Sequence, residues 1–222
     1  YNAKSTSEWA GAVALGGSAN LEGPKPLEGG SLAIQGSATA QGASAVGWGS
    51  GATGFLSWAQ GVLSFATAPT SMSMGYRARA FGQGSIALGG TGGDVDEYNG
   101  IGAQALSKNA TAIGTQAQAV GASSISIGAL GQAIGTSSLS IGTQGQALGA
   151  SSIAIGTGNV VRGDRSGAIG DPSIINGVDS YSIGNNNKIG STTNNAFALG
   201  NNVYLGADAA GNDTALGVSG AV

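Results

Sequence analysis

The sequence contains no cysteine and no histidine among its 222 residues. Their absence excludes disulfide cross-links, thiolate nucleophiles, imidazole catalysis and zinc sites that use Cys or His ligands. Charged residues make up 9% of the chain and the formal net charge is −3. This leaves no basic surface for nucleic acid or anionic lipid, so neither is expected as a partner.

Large side chains and long apolar runs are also scarce. The chain has 4 Phe, 3 Trp and 5 Tyr against 43 Gly, which is too few large residues for an ordinary interlocking core. No run of about 18 apolar residues suggests a membrane-spanning helix. The sequence starts at Tyr1 without an initiating Met or a signal peptide, so we interpret it as a segment of a longer protein.

What the sequence has in quantity is a repeated phrase. SSISIGALGQAIGT at residues 123–136 is followed directly by SSLSIGTQGQALGA. One series of glycines recurs every 14 residues, at Gly114, Gly128, Gly142, Gly156, Gly170 and Gly184. A second series falls seven residues after the first, at Gly121, Gly135, Gly149, Gly163 and Gly177. Each unit therefore has two halves, and each half ends on glycine.

Strands explain this pattern better than helices, because glycine in every heptad would destabilise a coiled coil. In Ile125-Ser126-Ile127 apolar and small polar residues alternate at period two, as in a half-buried strand. We predict two strands of about five residues and two turns of about two residues per coil, with coils stacked about 4.8 Å apart. Stacking of this kind gives a parallel β-solenoid, with about 15 coils from Gly16 to Gly217 and a length on the order of 70 Å.

A coil this thin encloses few side chains, which we expect to be mostly Ile, Leu, Val and Ala. Small residues alternate with the isoleucines and are expected on flat outer walls that allow close approach: Ser124, Ser126, Ser140 and Ala154. One such roll buries little apolar surface against its ordering entropy, so we expect a homo-oligomer with cyclic symmetry.

The chain divides by regularity into two parts. Residues 1–75 are predicted to form an irregular part of the roll with a loop insertion, and residues 76–222 the regular repeats with further insertions. In the irregular part, Gln35 stands at a turn position where glycine is expected.

Two columns of residues on the second strand of each coil are candidates for ligand binding. The residue before the second glycine is Phe81, Val120, Ile134 or Leu148, and the residue two positions earlier is Arg79, Gln118, Gln132 or Gln146. Period two places both columns on one face and the intervening alanines on the other. If the alanines face inward, the apolar column is an exposed ridge beside a glutamine ladder. The alternative is that this column is buried or lies at a subunit interface.

Two shorter motifs are further candidates for binding. The carboxylates Asp94, Asp96 and Glu97 share one insertion, and carboxylate oxygens suit Ca²⁺, but the spacing is not that of an EF-hand loop. They are predicted as an acidic projection that a receptor could contact, and no metal or cofactor is expected. The tripeptide Arg162-Gly163-Asp164 reads RGD, but Gly163 is a regular turn glycine, so we expect an ordinary solvated turn.

The repeats resemble a known family. SSISIGALGQAIG, SSIAIGTGN, SGAIGDPSIINGVDSYSIGNNNKI and NNAFALGNNV are similar to the head repeats of trimeric autotransporter adhesins of the YadA type. The resemblance implies an all-β fold, a left-handed parallel β-roll of about 14-residue coils, assembled as a homotrimer. It also implies display at the bacterial cell surface on a stalk anchored in the outer membrane through regions outside this segment.

The function implied by the resemblance is adhesion rather than catalysis. Expected partners are host extracellular-matrix proteins (collagen, fibronectin, laminin) or a host cell-surface glycoprotein such as a CEACAM, bound by the outer faces of the trimer. Left-handed β-helices also occur in acyltransferases, but their repeat is six residues long and their chemistry commonly needs a histidine. A structural spacer without a ligand and an ice- or surface-binding solenoid remain the alternatives.

Overall fold

The structure is a computed structural model that describes residues 4–6, 13–20, 30–91 and 100–206. These residues form 27 short strands and no helix. The chain divides into two units, Tyr1–Ala117 and Gln118–Val222. Each unit is built from three-residue and two-residue strands that alternate along the chain and belong to two different sheets.

The first unit contains two parallel sheets. Its long-strand sheet consists of β2 (Val13–Leu15), β4 (Leu32–Ile34), β6 (Ser44–Val46), β8 (Trp58–Gln60), β10 (Met72–Met74), β12 (Ile86–Leu88) and β14 (Thr111–Ile113). Its second, short-strand sheet consists of β1 (Lys4–Thr6), β3 (Ser18–Asn20), β5 (Ser37–Ala38), β7 (Gly51–Ala52), β9 (Phe65–Ala66), β11 (Arg79–Ala80) and β13 (Gln104–Ala105).

The second unit repeats this plan. Its long-strand sheet consists of β16 (Ile125–Ile127), β18 (Leu139–Ile141), β20 (Ile153–Ile155), β22 (Gly167–Ile169), β24 (Tyr181–Ile183) and β26 (Phe197–Leu199). Its short-strand sheet consists of β15 (Gln118–Ala119), β17 (Gln132–Ala133), β19 (Gln146–Ala147), β21 (Val160–Val161), β23 (Ile174–Ile175), β25 (Lys188–Ile189) and β27 (Tyr204–Leu205).

The strand register confirms the 14-residue coil. Ile125 pairs with Leu139, and Leu139 pairs with Ile153, each one coil further along the chain. Each unit is therefore a parallel β-solenoid, and together they hold about 12 turns. The strands are shorter than the predicted five residues, because the turns between them take up more of each coil.

The interior corrects the prediction about which side chains are enclosed. Ser126, Ser140 and Ala154 are fully buried between the two sheets, whereas Ile125 and Ile127 point outward and are exposed. The same holds for the short strands, whose inward residues in most coils are alanines. In most coils small residues fill the space between the sheets and form the core, and the isoleucines form the outer wall.

Larger side chains fill the interior towards the end of the second unit. Val161, Ile175 and Ile189 are buried there in place of alanine, beside the buried amide of Asn187. The Asn187 Nδ2 donates to the Ser182 Oγ at 2.9 Å, and its Oδ1 accepts from the backbone N–H of Val203 at 2.9 Å. A buried amide is tolerated because it has these partners.

The turns depend on left-handed backbone and on close approach between coils. Seventeen described non-glycine residues have positive φ, among them Gln35 at +55° and Ser137 at +57°. Gln35 therefore adopts the left-handed conformation expected of glycine at its position. The N–H of Ser137 donates to the carbonyl of Ala122 in the preceding coil at 2.8 Å, so the strained residue supplies an inter-coil hydrogen bond. At Gly135 a side chain is excluded, because an added Cβ would overlap the carbonyl oxygen of Gly149.

Two neighbouring substitutions test the orientation of the strands. Ala133→Leu places a large side chain between the sheets and should lower the free energy of unfolding by about 2 kcal/mol. Ile134→Leu places the same side chain on the outside and should change it by less than about 0.5 kcal/mol. Thermal denaturation of both variants measures the difference. Equal losses, or a larger loss for Ile134→Leu, would contradict the alanine-filled interior.

Candidate functional site

The short-strand face of the second unit carries most of the candidate binding residues. Ala119, Ala133 and Ala147 are fully buried, so the residues that alternate with them point out of the roll. These are the half-buried glutamines Gln118, Gln132 and Gln146, and the apolar residues Val120, Ile134 and Leu148. Ile134 is the most accessible of the three, with 40% of its surface exposed. Of the two arrangements considered, burial of the apolar column inside its own roll is therefore wrong, while its use as a ridge or as a subunit interface stays open.

The apolar surface continues beyond the predicted column. Gln146 pairs with Val160, and Val160 pairs with Ile174, so the glutamine column becomes aliphatic in these two coils. The ridge becomes polar at the same point, where Arg162 and Asn176 follow the short strands. The result is a stripe that crosses from one column to the other, named here the apolar stripe: Val120, Ile134, Leu148, Val160 and Ile174.

The residues Val160 and Ile174 were missed because the prediction followed a single column. The signal that could have found them is the register itself. Both residues stand 14 positions apart in the glutamine column, which changes from amide to aliphatic at residue 160.

Phe81 lies in the first unit and is described with it. Its side chain is 42% exposed, and its backbone N–H donates to the carbonyl of Ala105 at 2.9 Å. Leu106 is therefore the next residue of its column, a neighbour that sequence spacing missed because the insertion around residues 92–99 lengthens this coil. The preceding members of the column are the threonines Thr39, Thr53 and Thr67.

The acidic insertion lies outside the described residues, so Asp94, Asp96 and Glu97 stay a prediction. Within the described part of the chain, no three His, Cys, Asp or Glu residues come together in a way that could hold a metal ion. The same part contains no helix long and apolar enough to cross a membrane.

The RGD tripeptide is hydrogen-bonded to the preceding coil and to the next. The Asp164 carboxylate accepts a hydrogen bond from the backbone N–H of Ala150 at 2.8 Å, one coil earlier. Gly163 is buried, and an added Cβ there would overlap the carbonyl of Gly177. Arg162 donates to the Asn176 side chain at 3.2 Å. The Asp164 carboxylate of this turn already has a partner, in keeping with a structural role.

Comparison with protein families gives a match on these coils. The YadA head domain repeat matches residues 66–90, 100–130, 133–159 and 147–171. The matched repeats support a YadA-like head domain, of the type found in trimeric autotransporter adhesins. Comparison with curated proteins gives no match.

One edge of the YadA-like head carries an ion pair between consecutive coils. The Arg165 Nε donates to the Asp179 Oδ1 at 2.6 Å, and its second nitrogen donates to the Oδ2 at 2.7 Å. Hydrogen bonding and the charge of Arg165 lower the pKa of the Asp179 carboxyl, and Asp179 in turn raises the pKa of Arg165. Both side chains are exposed to solvent, so the pair aligns the two turns and contributes little to stability.

The pKa of Asp179 gives a prediction with a defined sign. A carboxyl whose pKa is lowered by folding stabilises the fold above its unfolded value of 3.8, and this contribution is lost as pH falls through the folded pKa. Arg165→Ala should return the Asp179 pKa towards 3.8, as measured by carboxyl ¹³C NMR titration. Arg162→Ala is the control, because Arg162 bonds to Asn176 instead. An unchanged Asp179 pKa in Arg165→Ala would show that the ion pair does not form in solution.

Proposed function

We propose that this YadA-like head acts as a homotrimeric, left-handed β-roll adhesin that binds a host protein through its short-strand face. The family supports an adhesin-type function and a trimer. The described residues add a reason why a single chain needs partners, and they indicate which face is left for a ligand.

The main observation in support of the proposed trimer is the apolar surface that the long strands present on the outside of the roll. The third residue of these strands is aliphatic in every described coil but one and is called here the aliphatic column. In the second unit its members are Ile127, Ile141, Ile155, Ile169, Ile183 and Leu199. Exposure within this column reaches 64% at Leu199, although such side chains are normally buried.

Copies of the same chain are the natural cover for this surface. Contiguous exposed apolar patches of this kind are rare on soluble monomers. Burying the aliphatic column against two other chains would supply the hydrophobic stabilisation that the alanine-filled interior cannot, because alanine buries little apolar area. Cyclic symmetry then presents three identical short-strand faces to the outside.

The short-strand face suits a protein ligand bound without long-range electrostatics. Residues 109–161 contain no Asp, Glu, Lys or Arg. The apolar stripe and the neighbouring amides Gln118, Gln132 and Gln146 therefore offer apolar contact and hydrogen bonds but no charge. We propose a matrix protein (collagen, fibronectin or laminin) or a cell-surface glycoprotein such as a CEACAM as the partner. Three weak sites per head would act together through avidity.

Location and organisation follow from the same proposal. The head would be displayed at the bacterial cell surface, anchored in the outer membrane by regions outside this segment. We keep the division into an irregular part, residues 1–75, and a regular part, residues 76–222, as part of the proposal. A trimer that binds none of these ligands would instead be a spacer within the adhesin.

Two lysine substitutions test the trimer interface. Ile155→Lys places a charge in the aliphatic column and should convert the trimer to monomer, because a buried unpaired charge is strongly destabilising. Gln146→Lys places the same charge on the short-strand face and should leave the trimer intact. Sedimentation velocity distinguishes the species. If only Gln146→Lys dissociates the chains, the short-strand face is the subunit interface and our assignment of the two faces is inverted.

A serine substitution tests the ligand site. Ile134 is the most accessible of the three stripe residues that lie beside the glutamines, Val120, Ile134 and Leu148. Ile134→Ser removes this side chain and should weaken ligand binding at least about tenfold. The trimer and its melting temperature should be unchanged, because the side chain does not contribute to the interior. Surface plasmon resonance against the ligands above gives the affinity, and the exposed-turn variant Ala150→Ser is the control. Full affinity in Ile134→Ser would exclude the stripe as the binding site.

A further inference from the structure

We propose that Gln60 fixes the axial register of the three chains. This inference rests on the proposed trimer. In the first unit the aliphatic column runs through Leu15, Ile34, Val46, Gln60, Met74, Leu88 and Ile113. Gln60 is the one polar residue in the column over the described coils of both units. Its side chain points outward and is exposed in the single chain.

A repetitive roll has a register problem that an ordinary interface does not have. Neighbouring coils present nearly the same outward residues, Met74 beside Leu88 in one unit and Ile141 beside Ile155 in the other. A chain displaced by one coil, about 4.8 Å, would bury almost the same aliphatic surface as a chain in register. Hydrophobic burial is non-directional, so the column by itself does not select one alignment.

A single polar residue removes this degeneracy. The Gln60 amide has two donor hydrogens and a carbonyl acceptor, so three copies at one level can hydrogen-bond to each other around the axis. A one-coil shift would place the amide against Val46 or Met74 of a neighbouring chain, where no partner exists. Leaving a buried amide unpaired is costly. Buried polar residues fix register in coiled coils for the same reason.

The coils around Gln60 depart from the repeat in a second way. Trp58, on the same strand, is outward and 44% exposed, and it pairs with Met72 while Gln60 pairs with Met74. These two are the only methionines in the chain. The flexible methionine side chain fills irregular gaps. Met72 and Met74 are therefore suited to pack beside the Trp58–Gln60 strand, whose outward side chains differ from those of the other coils.

Disulfide trapping between two variants measures the register. The chain has no cysteine, so Met74→Cys and Leu88→Cys introduce unique thiols one coil apart in the aliphatic column. The two variants are refolded together and oxidised, and the cross-links are identified by mass spectrometry. In register, near the axis, Cys should link only to the same position in another chain. The mixed link between Cys at 74 and Cys at 88 is excluded in register. Two Cα atoms about 6 Å apart across the axis and one coil apart along it are further from each other than the roughly 7 Å Cα–Cα limit for a disulfide.

Replacing Gln60 should then allow slipped trimers. In a Gln60→Met background the mixed 74–88 cross-link should rise at least about tenfold, since the unpaired amide no longer penalises the shift. Gln60→Leu is a second variant in case one side chain packs poorly. Gln104→Met makes the same change on the short-strand face of the same unit and should leave the pattern unaltered.

The other outcomes overturn the inference at identifiable steps. An unchanged cross-link pattern in both Gln60 variants shows that another feature sets the register. A species that sediments as a trimer but forms no like-with-like cross-link shows that the column does not face the axis, although the trimer stands. A wild-type chain that sediments as a monomer overturns the trimer and the register together.

Discussion

The two sheets of each coil lie so close together that most coils can enclose only alanine, serine and glycine. Ser126 and Ala133 show both halves of this constraint, because each is fully buried while its outward neighbour is an isoleucine. An ordinary small domain buries its large aliphatic residues and shows polar ones to solvent. This roll does the reverse over much of its length, and its aliphatic residues become available for contact with other molecules.

Stability in such a roll comes from different sources than in a globular core. Small interior residues give little hydrophobic stabilisation, so regular hydrogen bonding between coils carries more of the fold. Ser137 adopts a left-handed backbone conformation, and its N–H donates a hydrogen bond to the carbonyl of Ala122 in the preceding coil. The buried hydroxyl of Ser124 donates to the Gly121 carbonyl at 2.6 Å, whereas the buried hydroxyls of Ser126 and Ser138 have no hydrogen-bond partner, so side-chain hydrogen bonds satisfy only part of the polar core. In the proposed trimer, association of the chains supplies further stabilisation.

Much of the fold could be predicted from the sequence, because its repeats are regularly spaced. The glycines gave the coil length and the turns, and the alternation around Ser126 gave the strands. Alternation does not say which face is inside, since both assignments fit period two. For that reason the expectation that Ile, Leu and Val accompany Ala in the interior was wrong in most coils. The candidate columns were placed on one face correctly. Leu106 was missed because an insertion changes the spacing before it, and Ile174 was missed because the apolar residues move from one column to the other. Both residues are found only from the pairing of the strands in the structure.

A repeated surface multiplies weak contacts, but it also allows the chains to associate out of register. Identical coils multiply weak contacts, and contacts to an uncharged stripe such as Ile134 and Leu148 are not weakened by ionic screening. Identical coils also permit misalignment, in the rod and between its partners. A residue that differs from its equivalents in the other coils can therefore specify one alignment, which identical residues cannot. The RGD turn shows that this holds only in context, because Asp164 differs from its neighbours in other coils and yet its carboxylate is already bound by the Ala150 N–H. Gln60 has no such local role in its coil, and an interruption of that kind is the better guide to an intermolecular contact.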